Sequence, residues 1–210
     1  MKGYSVQPIT YDETKSWLLH RHYAKRMPPI SYAFGLFKGA DLVGICTFGR
    51  IANYQEDKAW QPFQVLEFNR LCLNTGKKNA ASFLIGKALN QLEKPHVIIS
   101  YADFRQGHVG YVYQATNWLY TGIGGKGQKI YILKNGTQQH QRHGETIDKD
   151  KIERIEKTEG KARYYYFIGT KRQKKEMLAK LRYPILPYPK GETRRYEVPE
   201  TQERQLRLFA

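Results

Sequence analysis

The feature that most constrains the fold of this chain is an apolar run that ends in a polar turn. The residues from His96 to Ser100 predict a buried strand. Gly107 then breaks the chain, and a helix is predicted from about His108 to Trp118. A strand, a turn and a helix in this order place the turn at the carboxyl edge of a sheet, where open α/β folds have their sites.

Four chemically useful side chains crowd this turn, and they are Tyr101, Asp103, His108 and Tyr113. A carboxylate, an imidazole and two phenols can exchange protons with a substrate. A structural interpretation also exists, because tyrosines commonly pack in cores and an aspartate commonly caps a helix. Either interpretation explains each residue alone, whereas the presence of all four in one turn favours a functional site.

The rest of the first 135 residues predicts an α/β fold with a mixed central sheet and helices on both faces. A glycine turn at Gly39 joins two alternating runs into a β-hairpin, and residues 50–62 are polar and irregular, which predicts a loop. Strands are predicted at 4–9, 31–37, 42–48, 63–73, 96–100, 118–121 and 129–133, and helices at 13–23, 80–92 and 108–118.

The chain changes character after Leu133, where it becomes polar and basic. Residues 149–159, with alternating charges, predict a short solvated helix. A strand at 163–168 and a basic helix at 171–178 follow, and the prolines of 183–189 predict an extended segment. We therefore expect a catalytic core at 1–135, a basic extension packed on it at 136–190, and a polar, disordered tail at 191–210.

The formal net charge of +16 over 210 residues is unusually high and is typical of proteins that bind a polyanion, most often nucleic acid. An anionic membrane surface would also attract this charge, but no basic amphipathic helix stands out. No apolar run is long enough to span a bilayer, and the N-terminus lacks a signal-peptide pattern. Cys46 and Cys72 lie in predicted strands, which is typical of reduced core thiols in a cytoplasmic protein.

The order of elements resembles that of the GCN5-related N-acetyltransferases. In that fold the fourth strand leads to a phosphate-binding loop and a helix, which here correspond to residues 63–73, 76–81 and 80–92. Free amides at a helix start hold a diphosphate well, and Lys77 and Lys78 add positive charge. This loop lacks the usual paired glycines, however, and reads Lys-Lys-Asn-Ala-Ala-Ser from Lys77 to Ser82.

A narrower and more specific resemblance is to the Mom family of phage DNA modification proteins, and it covers about residues 15–122. The segments that carry it are Tyr101–Asp103, Gln106–Gly110, Tyr113–Thr116, Trp118–Gly122, His22–Tyr23 with Pro28 after it, Arg70–Leu71, and Asn79 with Ser82. The resemblance implies conversion of the N6 amine of DNA adenine to a carbamoylmethylamino group, which protects phage DNA from host restriction enzymes inside the bacterial cytoplasm.

The same resemblance implies roles for individual residues. His22, Tyr23, Asp103 and Tyr113 are its expected catalytic residues, with acetyl coenzyme A as the expected cofactor. Arg70 and Ser82 are expected to face the cofactor, and Leu71 and Asn79 belong to the same matching segments and are also expected to bind it. Apart from this resemblance, Lys77 and Lys78 are expected to bind the cofactor through their charge, and Tyr101 and His108 are expected to contact the substrate.

The chemistry needs a base, because the lone pair of adenine N6 is delocalised into the ring. His22 or Asp103 could take the proton, and Tyr113 could donate one to a leaving group. Simple acetyl transfer would leave an amide on N6, whereas carbamoylmethylation joins N6 to a methylene carbon. A metal such as iron could supply the missing chemistry, with His22, Asp103 and His108 as a His/His/carboxylate ligand set.

Double-stranded DNA is the expected partner. The reacting adenine has to leave the stack, and Tyr23, Tyr101 or Trp118 could stack on it, although Trp118 is better explained as a core residue. The phosphates are expected to contact the densest basic cluster, which consists of Lys171, Arg172, Lys174 and Lys175.

Two alternatives remain open from the sequence. The chain could be an acyl-coenzyme-A-dependent N-acyltransferase that acts on a protein or RNA amine. It could also be a non-catalytic DNA-binding module, which the missing loop glycines would favour.

Overall fold

The fold is built around one large sheet and one small sheet. The computed structural model describes residues 1–104, 107–141 and 146–190. The strands are β1 (Tyr4–Pro8), β2 (Tyr32–Lys38), β3 (Asp41–Arg50), β4 (Gln64–Leu73), β5 (His96–Asp103), β6 (Leu119–Gly124), β7 (Lys129–Leu133), β8 (Gln138–His140), β9 (Ile152–Lys157) and β10 (Lys161–Ile168). The α-helices are α1 (Tyr11–Ser16), α2 (Tyr54–Ala59), α3 (Ala80–Gln91), α4 (Tyr111–Ala115) and α5 (Lys171–Lys180).

The large sheet has the strand order β1-β2-β3-β4-β5-β10-β6, and the small sheet has the order β8-β7-β9. Within the large sheet, β4 and β5 are parallel and the other neighbours are antiparallel. The predicted mixed sheet is therefore confirmed. Backbone pairing of β4 with β5 runs only from Gln64 to Glu67 on β4, so the carboxyl-terminal halves of these two strands are free to part and leave room for a cavity.

Helices cover both faces of the large sheet, as predicted. On one face α3 buries Leu84, Ile85 and Ala88 against the aromatic core around Phe68, because apolar residues spaced three and four apart share one side of a helix. On the other face Met177 of α5 is buried in a separate core cluster. The long strand β4 and helix α3 lie within one residue of their predicted bounds.

Several sequence predictions were wrong in the more polar segments. Residues 149–159 form a short 3₁₀ turn and then strand β9, because Ile155 pairs with Tyr131 of β7 and the neighbouring charges stay solvated. The predicted loop at 50–62 contains α2, which Asn53 caps. The predicted helix at 108–118 is only the short α4, which begins after Gly110.

Strand β10 occupies a central place although it comes late in the chain. It lies between β5 and β6, so the boundary predicted at residue 135 does not coincide with an edge of the large sheet. The predicted disordered tail at 191–210 lies outside the described residues. Cys46 and Cys72 are free thiols in β3 and β4, and none of the described helices is long and apolar enough to cross a bilayer.

Candidate active site

A cavity of about 340 Å³ lies at the carboxyl ends of β4 and β5, where these two strands cease to pair. Its walls come from β4, β5, the start of β10, helix α4 with the segment that leads into it, and the turn that follows α1. Eight residues singled out from the sequence line this cavity, namely His22, Tyr23, Arg70, Leu71, Tyr101, Asp103, His108 and Tyr113. The structure therefore brings the four predicted catalytic residues together.

A π-helical turn delivers His22 to the cavity. The predicted helix at 13–23 is α1, which Thr10 and Glu13 cap reciprocally, followed by a π-helical turn from Trp17 to Arg21. The amide of His22 donates to the carbonyl of Trp17 at 2.9 Å and closes the wider turn. Single π turns are frequent at functional sites, and here the turn ends with His22 buried at the cavity wall.

The imidazole of His22 is uncharged at neutral pH. Its Nδ1 accepts a hydrogen bond from the Ala24 amide at 3.0 Å. Burial, and to a smaller extent the positive charges of Arg70 and His108, lowers its pKa to about 4. Because Nδ1 is an acceptor, the single ring proton is on Nε2, and His22 presents a donor to any group on that side.

Tyr23 stands at the mouth of the cavity with about half of its surface exposed (52%). Its ring centroid lies 4.4 Å from that of His22 and 6.0 Å from that of His108. An exposed phenol supported by two imidazoles is a ready stacking surface for a planar ligand.

Asp103 and Tyr113 are both held by neighbours. The Asp103 carboxylate forms an ion pair of 3.2 Å with Lys161, which lies opposite it on β10. The Tyr113 hydroxyl is 2.8 Å from Ser100 Oγ, which is also 2.8 Å from the carbonyl oxygen of Phe68. A carbonyl only accepts, so Ser100 donates to Phe68 and Tyr113 donates to Ser100.

Two charged residues of the cavity were not predicted from the sequence. Lys161 reaches the site because β10 pairs with β5, and Glu67 lines the cavity from the middle of β4. Burial raises the pKa of the Glu67 carboxyl, while Arg70, Lys161 and Arg26 oppose that rise. A signal for Glu67 was present, because an acidic residue within a largely apolar strand calls for a special environment.

The predicted phosphate-binding residues form a separate group. The described cavity lining contains none of Lys77, Lys78, Asn79 and Ser82. They lie at the start of α3, where Ser82 Oγ donates to the Asn79 carbonyl at 3.1 Å and where both lysines are exposed. The first-turn amides of any helix lack intrahelical acceptors, so this end of α3 fits an anionic group.

The predicted basic cluster lies far from the cavity. It begins three residues after Ile168, the residue of β10 that pairs with His96 at the start of β5, whereas Asp103 ends that strand. Eight strand residues span about 25 Å, which is the approximate separation along the sheet. Trp118 is fully buried and packs against Tyr113 and Tyr166, so it is a core residue.

The predicted iron ligands do not form a metal site. Among the described residues there is no group of three His, Cys, Asp or Glu side chains that could hold a metal ion. The physical reason lies in their partners, because His22 Nδ1 accepts a backbone amide and Asp103 pairs with Lys161. The described residues therefore give no support to His22, Asp103 and His108 as an iron-ligand set.

The sheet and the cavity together define the class of this protein. It is a mixed α/β protein with a pocket of the kind found in enzymes, at the carboxyl ends of its two parallel strands. Solved structures with a similar fold include a Bacillus subtilis acetyltransferase in complex with CoA, with a TM-score of 0.45 and 14% identity, covering 79% of this chain and 97% of that one. Another is the ribosomal-protein-S5-alanine acetyltransferase of Vibrio fischeri, with a TM-score of 0.48 and 12% identity, covering 80% of this chain and 94% of that one.

The sequence comparisons are more specific. A family model described as the Mom protein family matches residues 3–190. The methylcarbamoylase Mom of Escherichia phage Mu is 28% identical over 212 residues, which cover 90% of this chain and 86% of that protein. This chain belongs to the Mom protein family, and the resemblance found in the sequence is confirmed.

Proposed function

We propose that this protein is a transferase that modifies the N6 amine of adenine in phage DNA with a carbamoylmethyl-type group and so protects that DNA from host restriction enzymes. The observation that carries the proposal is the single cavity that collects His22, Tyr23, Asp103 and Tyr113. Membership of the Mom family supports the same reaction, and the phage Mu relative is named as a methylcarbamoylase.

The shape of the site supports an extruded base as the substrate. In a duplex N6 is paired and stacked, and extrusion of the base costs a few kcal/mol. The half-exposed ring of Tyr23 at the cavity mouth can replace part of the lost stacking. The net charge of +16 supplies the attraction to the phosphates, and Lys171, Arg172, Lys174 and Lys175 remain proposed contacts.

The negatively charged diphosphate of acetyl coenzyme A fits the positive charge at the start of α3. The free amides of this helix and the exposed Lys77 and Lys78 would hold its diphosphate. When bound, it supplies an activated two-carbon unit as a thioester. Transfer through the thioester carbonyl would leave an amide on N6, so acetyl transfer alone does not give a carbamoylmethylated base.

The test is mass spectrometry of nucleosides from the DNA of bacteria that express the protein. We expect a modified deoxyadenosine with the wild-type chain and none above background with Asp103→Asn, because the exchange removes the charge that pairs with Lys161 at the cavity wall. A matched control is Asp41→Asn, at an exposed position in β3.

Unmodified DNA from wild-type cells would contradict the proposal. If acylated protein or RNA amines appeared instead, the chain would be an N-acyltransferase with another acceptor. If DNA binding persisted without any modified molecule, it would be a binding module.

A further inference from the structure

The cavity contains two acidic side chains, Asp103 and Glu67. Glu67 forms no hydrogen bond or ion pair with any of the described residues. We propose that Glu67 is the base that accepts the N6 proton of the extruded adenine, an inference that rests on the proposed function. N6 forms a bond to the electrophilic carbon of a two-carbon donor, the leaving group departs with its electron pair, and the N6 proton passes to the Glu67 carboxylate.

His22 is poorly placed to be that base. Its Nδ1 lone pair is already bonded to the Ala24 amide at 3.0 Å. The other ring nitrogen carries the proton and can only donate. His22 therefore suits a contact with an acceptor, such as a ring nitrogen of the base or the leaving group, and not removal of a proton.

The two other predicted groups are committed elsewhere. The Asp103 carboxylate is 17% exposed and already pairs with Lys161 at 3.2 Å, so it would have to leave this partner to take a proton from the substrate. The Tyr113 hydroxyl donates towards Ser100 and, through it, towards the carbonyl of Phe68. Burial also raises the pKa of Tyr113 to about 12, so its phenolate is not available at neutral pH.

Glu67 has the position and the freedom that these groups lack. It is the last residue of β4 that pairs with β5, opposite Ile99, and lies where the cavity begins. Within the described ranges, no hydrogen bond or ion pair engages its carboxylate. Burial raises the pKa of its carboxyl and so makes it a stronger base than an exposed glutamate, while the positive charges of Arg70, Lys161 and Arg26 oppose that rise.

The experiment compares Glu67→Gln with the wild-type chain in expressing bacteria, with modified deoxyadenosine measured by mass spectrometry. Loss of a positioned base lowers a rate by roughly 10²–10⁴-fold, so we expect a drop of about 100-fold or more. Glu67→Asp, which keeps the carboxylate, should restore part of the modification. Glu93→Gln, at an exposed site, is the matched control and should behave as the wild type.

Two further measurements on the purified variant separate chemistry from folding. Binding of Glu67→Gln to duplex DNA should stay within about twofold of the wild type, and its thermal midpoint should not fall, because a desolvated charge has been removed. If Glu67→Gln modified DNA as well as the wild-type chain, this inference would be overturned and the proposed function would stand. A large fall in the thermal midpoint of Glu67→Gln would also overturn the inference alone, because Glu67 would then have a structural role. Unmodified DNA from wild-type cells would overturn both.

Discussion

At the scale of single residues, the cavity is notable for the hydrogen bonds that fix the direction of its protons. His22 Nδ1 accepts a hydrogen bond from a backbone amide. The Tyr113 hydroxyl donates a hydrogen bond to Ser100, which in turn donates one to the carbonyl of Phe68. Both groups were predicted from the sequence, yet the direction in which each can act depends on neighbours such as Ala24 and Ser100. The identity of a side chain alone does not assign its role as acid or base.

The buried, neutral imidazole makes stability depend on pH. The pKa of His22 lies at about 4 in the folded chain against 6.5 ordinarily, so the unfolded chain binds more protons between these values. Stability should therefore fall as the pH drops from about 6.5 to about 4, by on the order of 2–3 kcal/mol from this group.

Urea unfolding at pH 7 and at pH 4.5 measures this effect. His22→Gln should lose much of the difference between the two conditions, whereas His20→Gln, at an exposed site, should keep it. An unchanged pH dependence in His22→Gln would show that the imidazole is not held neutral.

At the scale of elements, the start of α4 depends on a close approach that only glycine allows. Gly110 has φ of +87° and precedes the helix that carries Tyr113. A Cβ at this position would lie 2.5 Å from the ring of Tyr164. Gly107 also has a positive φ, of +66°, but none of the described residues lies within 4 Å of a Cβ there.

This contrast gives a matched pair of variants. Gly107→Ala should cost about 1 kcal/mol of unfolding free energy, which is the penalty of the left-handed backbone alone. Gly110→Ala adds a clash against a buried ring, so we expect a total of about 3 kcal/mol. Denaturant unfolding of both variants provides the values, and equal losses would contradict the packing argument.

At the scale of the whole molecule, positive charge lies at both ends of the large sheet. Lys25 and Arg26 are exposed and follow Tyr23 at the cavity mouth, while Lys171 and Lys175 are exposed on α5, which begins near the opposite end of β5. A duplex that places its target adenine in the cavity must extend about 25 Å along the sheet to touch α5.

The length of the duplex therefore distinguishes contacts made by the basic residues at the cavity mouth from contacts made by the lysines of α5. An 8-base-pair duplex with a central adenine extends only about 14 Å to each side, whereas a 24-base-pair duplex extends about 40 Å. Replacing Lys171 and Lys175 with glutamine should weaken binding of the long duplex and leave the short one unchanged.

Replacing Lys25 and Arg26 with glutamine should weaken binding of both duplexes and lower the salt slope by about 2. Fluorescence anisotropy at several salt concentrations provides these values. If replacing Lys171 and Lys175 weakened binding of the short and the long duplex equally, α5 would lie beside the cavity mouth, which would contradict the distance of about 25 Å.

The sequence predicted those parts of the fold that depend on local pattern. Helix α3 and strand β4 were predicted because their periodicity is long and clear. Strand β9 was predicted as a helix because alternating charges suit a solvated helix and a solvated strand equally well. The central place of β10 could not be predicted, since it depends on pairing between residues far apart in the chain, and the same pairing explains why Lys161 was missed.

The late arrival of β10 has a consequence for biogenesis. The Asp103 side of the pocket is completed by Lys161, which a ribosome makes 58 residues after Asp103. A nascent chain that stops before this strand leaves the hydrogen-bonding edge of β5 uncovered. Lys161 and the α5 lysines are thus added to the nascent chain after all the other residues that line the cavity.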